Sequence, residues 1–231
     1  MMKHIVSLSG GKDSTAMLLM MLDREMPIDY VVFVDTTKEF PQVYRHLDKL
    51  EKYITPLKIT RLSFDYDYYF EKHVRVKGKR KGEMGYGFPG GRSRWCTALK
   101  RDTIRKFYRS LNDEAIEYIG IAYDEKKRIK DKPNTVYPLV EWGITEKLAL
   151  EYCYSKGFDW EGLYEVIPRT SCYCCPFKSI KELRTIYKNF PDLWGKMRDM
   201  QSRAKNKFRV DYSIFDLEER FNGSYCKGGL L

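Results

Sequence analysis

Two short stretches of this chain concentrate side chains that can do chemistry. The first is Ser9-Gly10-Gly11-Lys12-Asp13-Ser14. Adjacent glycines remove the Cβ atoms that hold backbone N–H groups away from an anion, and they permit the dihedrals of a tight loop. Lys12 adds a cation, and Ser9 and Ser14 add hydroxyls. An apolar run from His4 to Leu8 reads as a buried strand before the loop, and Thr15 to Leu22 reads as an apolar helix after it. A strand, a glycine turn and a helix N-terminus together cradle phosphate, because the first helical N–H groups lack internal partners and carry partial positive charge. The common P-loop spaces its first glycine away from a Gly-Lys-[Ser/Thr] end; here the glycines adjoin and Asp13 follows the lysine. The competing reading is a strand-to-helix turn that uses glycine for geometry alone.

The second stretch is Cys172-Tyr173-Cys174-Cys175. A lone buried cysteine acts as a small hydrophobe, which suits Cys153 on its helix but not a cluster. Cys172 and Cys175 form a C-x-x-C, Cys174 supplies a third sulfur, and Cys96, between Trp95 and Thr97, is the best candidate for a fourth. Four thiolates suit an iron–sulfur cluster or tetrahedral Zn²⁺, and spacing does not choose between them. A redox dithiol near arginines is a further reading.

The elements that must position these groups alternate. Tyr30–Asp35 reads as a central strand ending in Asp35-Thr36, polar groups delivered to a strand's C-terminal end. Pro41 opens a helix with Val43, Leu47, Leu50 and Ile54 on one face, and Leu57 to Leu62 is a third strand. Thr97 is the expected N-cap of a basic helix reaching Arg109, and Ala115 to Ile121 is a fourth strand. The pattern predicts an α/β, doubly wound and mainly parallel sheet. With strand order 3-2-1-4, Gly120 and Arg128 fall beside the Ser9–Ser14 loop, where ligands bind in such sheets. Gly120 would admit a base or ribose and Arg128 would reach a charge. Thr135 to Val140 is read as a fifth strand, and Thr145 caps a helix that Gly157 stops. Ser179 and Glu182 form a capping box, and Pro191 starts a helix through about Lys207.

Residues 1–165 are thus expected to form the nucleotide-binding α/β domain, with 166–231 a helical, cysteine-bearing region packed on it. A basic, glycine-rich insertion at about 63–95 interrupts the first part. Its aromatics among Lys and Arg suit a lid or a nucleic-acid grip; the alternative is a surface excursion whose aromatics pack inward. The 231 residues carry a formal net charge of +10 and six cysteines. Such a charge fits an anionic substrate or nucleic acid, and equally a solvated basic face. No run is long and apolar enough to span a membrane. The N-terminal residues read as strand and loop rather than as a secretory leader, so a cytoplasmic location with reduced cysteines is expected.

Ser9–Ser14 resembles the pyrophosphate loop of the ATP-pyrophosphatase superfamily. The chain as a whole resembles the phosphoadenosine phosphosulfate reductase-like family within it. Val34-Asp35-Thr36 with Glu39-Phe40-Pro41 is similar to the family's second-strand motif, and Arg94-Trp95-Cys96-Thr97 with Lys100 to its cysteine–lysine block. Gly120 with Asp124-Glu125 and Arg128 resembles another element. Tyr137-Pro138-Leu139, Trp142 and Leu163-Tyr164-Glu165 resemble the segment before its second cysteine pair, which Cys172 to Pro176 matches.

The resemblance implies an adenine nucleotide in the cleft, held by Ser9, Gly10, Gly11, Lys12, Asp13, Ser14, Asp35, Thr36 and Gly120. It implies Arg94, Lys100 and Arg128 on an anion, and a [4Fe–4S] cluster, or Zn²⁺, on Cys96, Cys172, Cys174 and Cys175. The favoured reaction is cleavage of ATP between α- and β-phosphates to adenylate an acceptor that sulfur then enters. Lys12, Asp13 and Mg²⁺ would act on the departing pyrophosphate. DNA or tRNA is the expected acceptor, with a sulfur donor or thiol reductant protein as partner. The alternative is thiol-dependent reduction of an adenylyl sulfate by Cys226; a further one is a nucleotide-sensing module without turnover. Two departures bear on this. Cluster-bearing members carry Cys-Cys where this chain has Cys96-Thr97, a gap Cys174 could fill. Cys226 lies in Ser-Tyr-Cys-Lys-Gly-Gly, without the acid and histidine of the reductases' C-terminal motif.

Overall fold

Five parallel strands in the order β3-β2-β1-β4-β5 form the centre of this protein. The computed structural model describes residues 2–91 and 93–223. β1 (Lys3–Leu8) lies between β2 (Tyr30–Asp35) and β4 (Ala115–Ile119); β3 (Ile59–Ser63) and β5 (Thr135–Val136) are the edges. Ile5 pairs with Tyr30 on one side of β1, and Ser7 pairs with Ile119 on the other. Val31 to Val34 are consecutively buried, as a strand covered on both faces requires. The chain winds outward from β1 through β2 to β3 and then restarts at β4 on the other flank. The winding therefore reverses between β1 and β4, and both C-terminal ends open there.

Helices follow the strands. α1 (Lys12–Asp23) buries every residue from Ser14 to Met21, so it is a core helix rather than an amphipathic one. α2 (Pro41–Tyr53) has Pro41 in its first turn and buries Val43, His46, Leu47 and Leu50. α3 spans Trp95–Ser110. It starts two residues ahead of the expected cap, because buried Trp95 donates its indole N–H to the Gly87 carbonyl (3.0 Å) and anchors the first turn. β5 is shorter than expected: Pro138 has no N–H to continue a ladder and instead opens α4 (Pro138–Glu141). α5 (Glu146–Ser155) is capped by Thr145, whose side chain accepts from the Leu148 amide. A short α6 (Leu163–Val166) precedes α7 (Ile180–Asn189), which begins at the Ser179–Glu182 capping box. α8 (Pro191–Arg203) ends before Lys207 because Ala204 is already extended. α9 (Ile214–Phe221), with its own Ser213–Asp216 capping box, was not anticipated.

The chain divides into two compact units. The first takes the chain as far as Phe64 and again from Lys100 to Ser171; it contains the whole sheet. The second joins Asp65–Leu99 to the chain from Cys172 onward. Within the second unit several aromatics of the basic insertion pack inward, while Tyr68 stays exposed. Tyr66, Phe70 and Phe88 are buried, and Phe88 meets buried Phe208 edge-on at 5.0 Å between ring centres. The Asn206 side chain fastens the insertion by bonding both the N–H and the C=O of Phe88 (3.0 Å each).

Candidate active site

Leaving β1, the chain turns through Ser9–Gly11 and enters α1 at Lys12. Gly10 has φ +77°, and a Cβ there would sit 2.8 Å from Val43 Cγ1. A Cβ on Gly11 would lie 2.7 Å from Thr170 Oγ1. Both glycines are therefore required by the fold as well as by any anion. The serines hold the turn: the Ser9 N–H donates to Ser14 Oγ (3.0 Å), the two hydroxyls lie 2.9 Å apart, and Ser14 Oγ donates to the Gly11 carbonyl (3.1 Å). The Thr15 N–H reaches back to the same carbonyl (3.0 Å). The Asp13 and Ser14 amides belong to the first helical turn, where no carbonyl of the helix reaches them.

Residues 150 positions away in sequence brace this loop. The Lys12 N–H donates to the Tyr164 hydroxyl (2.7 Å), which lies 3.0 Å from Thr170 Oγ1. The Trp160 indole donates to the Gly10 carbonyl (2.8 Å), and Cys153 Sγ lies 3.4 Å from the Lys12 carbonyl. Burial pushes the Cys153 and Tyr164 acids up, so both stay protonated. Cys153 was expected as a packing residue, and it is fully buried. Tyr164 and Trp160 were missed as loop partners; a tyrosine or tryptophan beside a short helix has no local signal of a distant contact.

Lys12 is nearly buried, and its ammonium contacts Asp13 (2.9 Å) and Glu146 (3.2 Å). Glu146 Oε1, though near the ammonium, is a buried oxygen without a hydrogen bond. Glu125 completes a trio: one oxygen each of Asp13, Glu125 and Glu146 lies within 4.8 Å of the others. Glu125 is also engaged by Arg128 and by Arg169 (3.3 Å). Burial, only partly offset by Lys12, raises the pKa of Asp13 above the ordinary aspartate value, and Glu146 and Glu125 push the same way. Hard oxygen ligands of this kind suit Mg²⁺. Asp13 was expected at the site; Glu146, supplied by the first turn of α5, was missed. Asp124 holds that turn in place by accepting the Glu146 N–H (3.0 Å).

The remaining expected nucleotide contacts stand at the ends of β2 and β4. Asp35 accepts the Thr37 N–H (2.7 Å) and the Tyr44 hydroxyl (2.8 Å), while Thr36 is fully buried with its hydroxyl 3.2 Å from Glu39. Lys100 pairs with buried Glu39 (3.3 Å). Gly120 follows β4, and a Cβ on it would lie 2.7 Å from Ser14 Cα and 2.8 Å from Ser14 N. Its missing side chain lets the end of β4 touch the start of α1.

In the second unit, Cys96 stands in the first turn of α3, while Cys172, Cys174 and Cys175 share a turn closed by Cys175 N–H to the Cys172 carbonyl (3.1 Å). Buried Tyr66 interacts with cysteines of both segments. Burial first, then the charges of Cys174, Cys172 and Cys96 and a bond to Cys174, hold the pKa of its hydroxyl well above the ordinary tyrosine value. Cys174 is itself buried, and Cys96, Cys172 and Cys175 are half-buried thiols. Arg94 lies over the Phe177 ring at 4.6 Å and belongs to this unit, whereas Lys100 and Arg128 belong to the first. Cys226 lies outside the described residues.

Residues 3–178 match the phosphoadenosine phosphosulfate reductase domain. The chain belongs to this family. Two proteins of Methanocaldococcus jannaschii resemble it along most of its length: the uncharacterized protein MJ0066 is 27% identical over 89% of this chain and 43% of its own, and MJ0973 is 24% identical over 85% and 47%. A protein of Escherichia phage 186 is 37% identical over 34% of this chain and 21% of its own. The chain thus spans less than half the length of these relatives. Among solved structures, the U34-tRNA thiolase NcsA from Methanococcus maripaludis with its [4Fe-4S] cluster aligns with 99% of this chain and 74% of its own, at 12% identity and a TM-score of 0.46. Among the described residues no helix is long and apolar enough to cross a membrane.

Proposed function

We propose that this family member binds ATP on the Ser9–Ser14 loop and cleaves it between the α- and β-phosphates, adenylating an oxygen of a nucleic-acid acceptor that sulfur from a separate donor then replaces. The observation that carries this reading is the carboxylate trio of Asp13, Glu125 and Glu146 beside Lys12, at the mouth of an anion-binding helix. Three carboxylates so close repel one another, and a divalent cation shared with phosphate oxygens relieves that repulsion. Mg²⁺ held there would supply charge opposite the departing pyrophosphate. The chain's own part is to present the Asp13 and Ser14 amides and the Lys12 ammonium to the same charge, preset by the Tyr164 and Trp160 contacts so that little reorganisation is needed. Asp35 and Thr36 lie at the end of the adjacent strand, where the nucleoside would extend.

Cys96, Cys172, Cys174 and Cys175 are proposed to hold a [4Fe–4S] cluster. A soft set of up to four sulfurs from two segments gathered on one buried tyrosine fits such a group, and zinc is the other occupant of the same donors. The cluster would supply a site for sulfur binding. For the acceptor, the basic arm at 74–84 offers support. It is a hairpin closed by Arg75 and Glu83 backbone bonds, in which Arg75 also bonds the Gly85 and Tyr86 carbonyls and lies over the Tyr86 ring at 5.1 Å. The arm carries Lys77, Lys79, Arg80 and Lys81 toward polyanions.

The test is pyrophosphate release from α-labelled ATP with Mg²⁺, with and without single-stranded DNA or tRNA. Labelled AMP or an adenylated acceptor, lost in Asp13→Asn, is the expected result. No AMP, adenylate or pyrophosphate under any of these conditions overturns the reading.

A further inference from the structure

A cavity of about 470 Å³ in the second unit is not explained by the nucleotide loop or the cysteines. Its size falls in the range of roughly 300–1,000 Å³ typical of small-molecule sites. Pro176 and Phe177, directly after Cys175, form one wall; Pro89, Gly90 and Gly91 form another; the segment from Asn206 to Asp211 closes it. The character of the lining is specific. Phe177 remains 48% exposed although Arg94 lies against its ring, and Val210 is 91% exposed. An aromatic and an aliphatic side chain left in water, in one lining with the buried Phe208, offer apolar surface that a flat ligand would cover.

Around that surface the chemistry is charged. Lys207 and Arg209 line the cavity, each tethered from behind: Lys207 to Asp216 (3.3 Å) and Arg209 to the Lys178 carbonyl (3.2 Å). Arg94 adds a third cation beside Phe177. The acidic lining group is Asp211. A flat π-face to stack, cations for a flanking phosphate and one carboxylate to accept an exocyclic amine together match a nucleotide unit of a polynucleotide. The same constellation does not suit a free acid, which would bring nothing to stack, or a peptide, which would not use three cations around one ring.

We propose that this cavity receives one unstacked base of a single-stranded nucleic acid, stacked on Phe177, with its phosphate on Lys207 and Arg209. The proposal rests on the reading that the acceptor is a nucleic acid and names where the second unit grips it. Because Phe177 and Pro176 continue the Cys172–Cys175 turn, a base stacked there is carried by the same backbone that carries the thiols.

Gly90 makes a clean probe. A Cβ on it meets no atom within 4 Å, and its φ is not positive, so Gly90→Leu grows into open space without backbone strain. Binding of short fluorescein-labelled single-stranded DNA, single-stranded RNA and the matching duplex would be measured by anisotropy for the wild type, Phe177→Ala and Gly90→Leu. Binding of a non-hydrolysable ATP analogue would be measured on the same samples. The expected result is single-strand binding that exceeds duplex binding and falls about tenfold in each variant, as loss of one stacked base implies, with analogue binding unchanged. The DNA and RNA arms decide which polymer is preferred. Wild-type affinity for single strands in both variants overturns the cavity assignment while leaving a nucleic-acid acceptor standing. Analogue binding without any oligonucleotide binding overturns both the cavity and the nucleic-acid acceptor, and leaves ATP cleavage standing.

Discussion

The Lys12 amide donates to the Tyr164 hydroxyl at 2.7 Å, so the first N–H of α1 is tied to a side chain from the far end of the same unit. That bond fixes the loop before any nucleotide arrives. Tyr164→Phe keeps the ring and removes the acceptor, leaving a part-buried N–H unpaired. Urea denaturation is expected to show a loss of about 1–3 kcal/mol, together with weaker ATP-analogue binding. Wild-type stability and affinity in the variant would show that the bond does not set the loop.

Gly120→Ala places a methyl 2.7 Å from the Ser14 backbone. Backbone cannot swing aside as a side chain does, so a loss of about 1–3 kcal/mol is expected, with loss of nucleotide binding because the loop itself must shift. Gly195, inside α8 and with no atom within 4 Å of a built Cβ, is the contrasting case. Gly195→Ala is expected to raise stability by about 1 kcal/mol through helix propensity. Thermal or urea melts of the two variants check both signs.

Asp13 takes up its proton more readily in the folded protein than in the unfolded chain. Its contribution is therefore greatest in acid and declines as pH rises from the ordinary aspartate value through the raised one. Asp13→Asn should melt above the wild type at pH 7 in a chelating buffer, with the gap closing toward acid. Millimolar Mg²⁺ should raise the wild-type melting temperature and move the variant less. An equal Mg²⁺ response in both proteins would remove Asp13 from the metal site.

His46 carries the opposite sign. Burial, with Lys49 adding to it, lowers its pKa to about 3, and the ring stacks on Trp160 at 4.1 Å. The unfolded chain takes up a proton here near pH 6.5 while the folded one resists, so this stability is present above 6.5 and lost as pH falls toward 3. The slope from one such group is at most about 1.4 kcal/mol per pH unit. His46→Gln should flatten that limb of the stability–pH curve, as read by urea midpoints across the window.

Single serine substitutions of Cys96, Cys172 and Cys174 should each strip most of the iron, or zinc, from anaerobically purified protein. Cys153→Ala, in the other unit, should retain it. Metal analysis with the visible absorption spectrum reads both the content and the identity. Full metal content in Cys172→Ser would break the proposed ligand set.

Most of the α/β framework was legible because its signals are local. The apolar runs at 4–8 and 30–35, Pro41 at a helix start and the Ser179–Glu182 box are short-range patterns that tertiary packing had no reason to override. The strand order 3-2-1-4 was also anticipated, since right-handed crossovers leave few alternatives. Expectations failed where a distant contact decided a boundary. Trp95, anchored on Gly87, starts α3 early, and Pro138 turns an expected strand into a helix. Gly120 also has a packing reason that the sequence did not show: a Cβ there would lie 2.7 Å from Ser14 Cα.

The sequence alone therefore determined the family, the strand–glycine loop–helix and the Cys172–Cys175 cluster, since each is carried by residues adjacent along the chain. The tertiary structure decided which carboxylates join Asp13, which rings brace the loop and that Tyr66 gathers Cys96 with Cys172 and Cys174. Glu146, Tyr164 and Tyr66 are ordinary residues on ordinary elements. Only the return of the chain across the sheet's reversal point, and of the 65–99 segment onto the chain after Cys172, brings them within bonding distance of groups far away in sequence.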